Sequence, residues 1–199
     1  MSNIIKLPLS QKDLIFPLMK ALAERRTVRK WQHVSLSNQE LSNLLWAACG
    51  INREKKNCKN KRTAPSACNW QEIKLYLALD SGLYLYNEKV HQLVSISTID
   101  IRDQIGTQKM MRSAPVGLIF VSDYSKMNGP MANNDERRWF CSAVDSGFIS
   151  QNIYLYCAAA GLNTVVLGLV DRNKLHQLMG LKEHEKVVLT QVVGRPLKT

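Results

Sequence analysis

The chain has 199 residues, 45% of them hydrophobic and 22% charged, with 27 Lys plus Arg against 16 Asp plus Glu, a formal charge of +11. That length and composition suit one folded domain over residues 1–199 and exclude wholesale disorder. Five cysteines without a Cys-x-x-Cys pair argue against a disulfide framework or a zinc site and for reduced thiols, hence a cytoplasmic setting. No apolar run reaches the roughly 20 residues a bilayer span needs, so no membrane partner is expected.

Residues 1–10 read as an extended arm, with Pro8 disfavouring helix before it. Leu14, Ile15, Leu18 and Leu22 have the spacing of an amphipathic helix from Lys12 to Glu24, interrupted by Pro17. Ser37-x-x-Glu40 is a capping box, and Leu41, Leu44, Leu45 and Ala48 continue a helix that Gly50 ends. A polar, lysine-rich loop follows from Asn52 to Arg62. Ile73, Leu75, Leu77 and Leu79 alternate as in a strand. Gly82–Tyr86 and Val90–Ile96 predict a hairpin, Asp100–Arg112 a helix, and Pro115–Val121 a buried strand. The longest helix runs from Asp135 to Ala160, closed by Gly161. Its apolar residues cover more than one face, which predicts extensive burial and a second copy of the chain as cover. Core packing is expected for Trp139 and Phe140. Thr164–Leu167 and Val187–Val193 read as strands, with a short helix from an Asp171 cap to Met179 between them. Helices and strands without strict alternation predict an α+β fold, a mixed sheet packed between helices.

Two segments carry the chemistry. Arg25, Arg26, Arg29 and Lys30 place four positive charges within six residues, and guanidinium groups match phosphate oxygens in bidentate fashion. If the backbone is extended there, Arg25, Thr27 and Arg29 share one side, and Thr27 adds a hydroxyl. The second segment, Pro65-Ser66-Ala67-Cys68-Asn69-Trp70-Gln71, is a turn that presents a hydroxyl and two amides, groups that can meet the polar edge of a heteroaromatic ring. Each segment alone also fits a plainer description: a solvated basic helix end, and an ordinary Pro-Ser turn. His33, His91, His176 and His184 lack metal-ligand spacing and read as surface or loop residues; no metal site is expected. The basic charge could serve nucleic acid, but neither a helix-turn-helix nor an aromatic-basic alternation accompanies it, so no nucleic-acid partner is expected.

Taken together and in order, these pieces resemble the nitroreductase superfamily of flavin mononucleotide (FMN) oxidoreductases. Arg25-Arg26-Thr27-x-Arg29 is similar to its phosphate motif and Pro65-Ser66-x-x-Asn69-x-Gln71 to its flavin-ring turn. Ala143-Val144-Asp145-x-Gly147 through Ala160-Gly161-Leu162 resembles its central dimer helix. Val166-Leu167-Gly168 and Val192-Val193-Gly194-Arg195-Pro196 resemble its late strands. Leu45-Trp46-Ala47-Ala48-x-Gly50 and Gly82-Leu83-Tyr84-x-Tyr86 look most like the branch containing peptide-azoline dehydrogenases.

The resemblance implies a homodimer with the long helix at its interface and flavins between the chains. It implies Arg25, Arg26, Thr27 and Arg29 at the phosphate. Pro65, Ser66, Ala67, Asn69 and Gln71 would face the flavin from the other subunit, and Leu167 and Gly168 would line the ring. NADH or NADPH would supply hydride by a ping-pong route to a nitroaromatic, quinone or similar small aromatic or heterocyclic acceptor. The alternative is dehydrogenation of a peptide or small heterocycle with a partner protein. No side chain need act as acid, base or nucleophile, so no catalytic residue is nominated. Two departures stand out: Glu72 follows Gln71 where many relatives have proline, and only Arg195 and Lys198 supply basic charge at the C-terminal end.

Overall fold

The computed structural model describes residues 4–56, 59–108 and 114–198. Its centre is a seven-stranded sheet built from β1 (Ile4–Lys6), β4 (Ile73–Leu79), β5 (Gly82–Asn87), β6 (Gln92–Ser97), β7 (Val116–Asp123), β8 (Asn163–Leu167) and β9 (Glu185–Gly194), in the order β1-β6-β5-β4-β7-β9-β8. Every ladder in it is antiparallel. Two further strands, β2 (Ile51–Arg53) and β3 (Lys61–Arg62), pair with each other at the ends of the lysine-rich loop. The helices are α1 (Leu18–Glu24), α2 (Asn38–Cys49), α3 (Asp135–Ala160) and α4 (Arg172–Leu178). The α+β class read from the sequence is the class found.

The period-two rule explains the layering. Leu75, Leu77, Leu118 and Phe120 point to one face, where they meet Leu44, Leu45, Ile149 and Ile153 of α2 and α3. Their neighbours Tyr76, Ala78, Ile119 and Val121 point to the other face and meet Trp31, Ile105, Val165 and Leu175. β4 and β7 are thus covered on both sides, which is why they read as nearly continuous apolar runs.

The Ser37 capping box forms completely: the Ser37 hydroxyl accepts from Glu40 N, and the Glu40 carboxylate accepts from Ser37 N at 2.8 Å. Gly50 ends α2 with φ −68°, not in the left-handed region. Its role is space, since a Cβ there would sit 2.5 Å from the Trp46 ring. Gly161 does take the left-handed conformation, φ 66°, and closes α3 as expected.

Three expectations change. The first helix starts at Leu18, with Pro17 as its N-cap. Proline lacks an N–H and biases Phe16 toward extended backbone, so Leu14 and Ile15 lie outside the helix, exposed. The helix expected over Asp100–Arg112 is, in its described part, one 3-10 turn at Arg102–Gln104. The Asp100 carboxylate captures Arg102 N at 3.0 Å in a local turn, and the Ile105 carbonyl accepts from Thr190 on β9, so one side-chain turn and one tertiary bond replace helical ones. Residues 109–112 of that helix lie outside the described residues. Finally, α3 is buried on one side only: Trp139, Phe140, Val144 and Phe148 are exposed, Phe140 by 64%. The Arg172 guanidinium lies 5.6 Å from the centre of the Trp139 ring, but both Trp139 and Phe140 stay exposed, so their expected core packing does not occur among the described residues. Among the described residues, no helix is long and apolar enough to cross a membrane.

The cap gives a direct check. Ser37→Ala removes the hydroxyl acceptor of Glu40 N and should lower the unfolding free energy by about 1 kcal/mol, read from urea denaturation.

Candidate functional site

The basic segment lies against α3 and β8. Val28 N donates to the Thr164 carbonyl of β8, and Gln32 N to the Arg195 carbonyl, so the segment runs extended beside the sheet's edge. With that backbone, Arg25 and Thr27 share a side. Both meet one residue: the Arg25 guanidinium lies 5.5 Å from the centre of the Tyr154 ring, and Thr27 Oγ1 is 3.1 Å from its hydroxyl. Arg26 and Arg29 are exposed. The same Tyr154 hydroxyl accepts from Val166 N at 3.0 Å, the position before Leu167 and Gly168. Leu167 is buried in the sheet and Gly168 is exposed at the strand's end. Tyr154 therefore joins the phosphate-motif residues to the strand end that resembles the family's ring contact. Arg195 is engaged elsewhere, paired with Glu40 at 2.7 Å.

The Pro65–Gln71 turn is strained. Cys68, Asn69 and Gln71 have φ of 49°, 54° and 54°, three of the four non-glycine residues at positive φ among the described residues. Such backbone costs on the order of 1–2 kcal/mol per residue and persists only where surroundings impose it. Those surroundings are visible. Ala67 N donates to Asp145 Oδ2 on α3 at 2.8 Å. Gln71 N donates to Ser66 Oγ, and the Gln71 side chain donates to Asn69 Oδ1 at 3.0 Å. Trp70 is buried with Met127, Ala132 and Cys141, its indole N–H on Asn128. Lys59 and Lys126 donate to the Trp70 and Gln71 carbonyls. Pro65 and Cys68 are exposed, and Ser66, Ala67, Asn69 and Gln71 are half-buried. Among the described residues, the Asn69 amide nitrogen and the Gln71 amide oxygen make no hydrogen bond, which leaves one donor and one acceptor for a ligand.

Beneath the turn lies Glu72, 0% exposed. Neither carboxylate oxygen meets a donor on another residue. Burial, then the neighbouring Asp145 carboxylate, push its pKa up to about 7. Burial also raises Asp145, against the Ala67 N–H that favours its charge. Arg62 is close enough to oppose the shift on Glu72; its two terminal nitrogens bond the Ile73 carbonyl and Glu88, the latter at 2.6 Å, while its buried Nε has no hydrogen-bond partner among the described residues.

The two candidate halves are apart within one chain. Asp145 holds the turn and Tyr154 holds the basic segment; nine residues of α3 separate them, roughly 13 Å at 1.5 Å per residue. Tyr154, Asp145 and the burial of Glu72 were missed by sequence reading. Tyr154 carried one usable signal: a tyrosine on a buried helix face needs a partner for its hydroxyl. His91 lies in the turn before β6, a loop residue as expected, but half-buried, with one ring nitrogen 2.7 Å from Ser42 Oγ and the other 2.8 Å from the Tyr86 hydroxyl.

The Nitroreductase family pattern matches residues 22–195. The candidate nitroreductase MJ1384 of Methanocaldococcus jannaschii is 26% identical over 191 residues, covering 91% of this chain and 92% of its own. Among solved structures, a candidate nitroreductase from Ralstonia eutropha JMP134 superposes with TM-score 0.88 at 35% identity, covering 98% of this chain and 90% of that one. The NADPH:FMN oxidoreductase of Vibrio harveyi, solved with NAD+, shares the fold at TM-score 0.65 and 22% identity, over 91% of this chain and 69% of its own. A strained Pro-Ser turn and an arginine segment set on one long helix, in a fold and a sequence shared with these proteins, lead to one conclusion: the chain belongs to the nitroreductase family.

Proposed function

We propose that this protein is an FMN-dependent oxidoreductase working as a homodimer, each flavin held between the arginine segment of one chain and the Pro65–Gln71 turn of the other. The observation that carries this reading is the arrangement along α3. Its middle and its C-terminal part hold two complementary half-sites, one offering amides at Asp145 and one cationic at Tyr154, too far apart to act as one pocket within a chain. Along its first half and middle the helix exposes Phe140, Val144 and Phe148 at helical spacing, interleaved with the small residues Ala143 and Gly147. A Cβ at Gly147 would meet nothing within 4 Å, so a second backbone can approach closely there.

The residues fit the cofactor. Arg25, Arg26 and Arg29 supply charge, and Thr27 a hydroxyl, for a phosphate. Tyr154 fixes Arg25 and Thr27 toward one point. Asn69 and Gln71 keep a donor and an acceptor available, as a flavin's carbonyl and ring N–H edge requires, and Ser66 holds Gln71 N. Bound there, FMN supplies the redox chemistry, taking hydride from NADH or NADPH and returning the electrons to a flat, electron-poor acceptor such as a nitroaromatic or quinone, by turns at one site. The chain's own task is to bind, orient and shield; none of its side chains must exchange a proton with the substrate. The description of the Vibrio harveyi relative as an NADPH:FMN oxidoreductase supports the choice of cofactor and donor.

Three outcomes test the reading. The purified protein should bind one FMN per chain, and anaerobic NADH or NADPH should bleach its visible absorbance; a flavin that stays oxidised with both donors refutes the hydride step and favours oxidation of a peptide or heterocycle alongside a partner protein. Tyr154→Phe strips the hydroxyl from Thr27 and leaves Val166 N unpaired, a loss of about 1–3 kcal/mol, so FMN should bind several-fold more weakly in a fluorescence titration. Phe148→Glu places a charge on the exposed α3 face and should yield monomers in sedimentation velocity that have lost most of their FMN affinity.

A further inference from the structure

Next to the Pro65–Gln71 turn stand two carboxyl groups that the function above does not use. Asp145 Oδ2 accepts from Ala67 N at 2.8 Å and thereby ties the turn to α3. Glu72, immediately after the turn and 0% exposed, has no donor from another residue for either oxygen. What lies beside it is Asp145, within hydrogen-bonding reach. Two ionised carboxylates have only lone pairs to offer each other. Their contact becomes a hydrogen bond only when one of them holds a proton.

Resting on the flavin-binding reading above, we propose that Glu72 and Asp145 share one proton, and that this shared proton locks the Pro65–Gln71 turn in its flavin-receiving shape. Protonated Glu72 donates to Asp145, and ionised Asp145 accepts from both Glu72 and Ala67 N. Loss of the proton sets two negative charges side by side in a buried space. The hold on Ala67 is then the weak point, because the turn above it is already strained at Cys68, Asn69 and Gln71. Glu72 and Asp145 are positioning residues, since neither needs to touch the flavin.

The groups facing the pair do not remove the effect. From β3, Arg62 favours the charged form of Glu72 but is bonded to the Ile73 carbonyl and Glu88. From α3, Cys141 lies close, its thiol pushed up by burial and then by Asp145 and Glu72. Cys68 on the turn also faces Cys141. Lys126 and Glu88 act on the pair through Arg62, which both of them face.

The sign follows from linkage. A carboxyl whose folded-state pKa is raised to about 7 favours the folded, proton-bound form below its unfolded pKa, and that contribution is lost as pH rises to about 7. If the ionised pair cannot hold the turn, the FMN dissociation constant should rise about tenfold between about pH 6 and about pH 8. Glu72→Gln keeps a neutral donor facing Asp145 at every pH. The test is an FMN fluorescence titration across this range on wild type and Glu72→Gln, paired with infrared spectra of the apo-proteins. Weakening in wild type, with flat and tight binding in the variant, is the expected result. An equal pH dependence in both overturns the proposal. If neither binds FMN at any pH, the flavin reading fails, and the infrared spectrum still decides the proton. A buried protonated-carboxyl stretch present in wild type at about pH 6 and lost in Glu72→Gln supports the pair, and its absence in wild type refutes it.

Discussion

The constraint on which the rest depends is the rigidity of α3. A 26-residue helix packed by Ile149, Ile153 and Tyr156 into the core on one side is a ruler. It sets the separation of whatever it carries. Asp145 near its middle and Tyr154 near its end fasten the two chemically distinctive segments of the chain, so neither the arginine segment nor the Pro-Ser turn chooses its own place. Both are loops, and loops are where chemistry is usually carried on rigid scaffolding. Here the scaffold's contribution reduces to two side chains with defined partners.

Most of the fold was legible because local chemistry and tertiary packing agree. Ser37 and Glu40 cap α2, Asn134 caps α3 through Arg137 N, Asp171 caps α4 through Lys174 N, and Gly161 closes α3 where only a left-handed residue fits. The strands from Ile73 and Val116 read correctly because both sheet faces are covered. The failures lie where side-chain and proline effects compete with helical hydrogen bonds. Asp100 takes the Arg102 amide and Thr190 takes the Ile105 carbonyl, so a periodic segment gives up its helix. Pro17 removes the first turn of another. Such partners lie 2 to 85 residues away along the chain, and periodicity is blind to them.

The candidate site was legible in part, for a similar reason. Residue type and order pointed to Arg25–Arg29 and Pro65–Gln71, because guanidinium charge and turn amides are properties of the residues themselves. Tyr154, Asp145 and Glu72 act through what they face. A tyrosine and two acids on or beside apolar elements carry no motif, and their roles appear only when Thr27, Val166 and Ala67 arrive from distant parts of the chain. The exposed side of α3 shows the same limit from another direction. Its all-round apolar pattern was read as burial, whereas half of that burial is absent in one chain.

The turn itself explains why Glu72 matters. Three departures from ordinary backbone within four residues, at Cys68, Asn69 and Gln71, cannot hold themselves. The compensation comes from Trp70 in its apolar niche, from Lys59 and Lys126 on the turn's carbonyls, and from Asp145 on the Ala67 amide. Proline after Gln71 would bias Gln71 toward extended backbone, away from its φ of 54°, so it would not hold this turn from within. Glutamate imposes no such bias. Its side chain instead enters the space beside Asp145, the residue whose charge holds the turn from outside. An ionisable group at this position places control of the turn in electrostatics, and a turn held by electrostatics responds to pH.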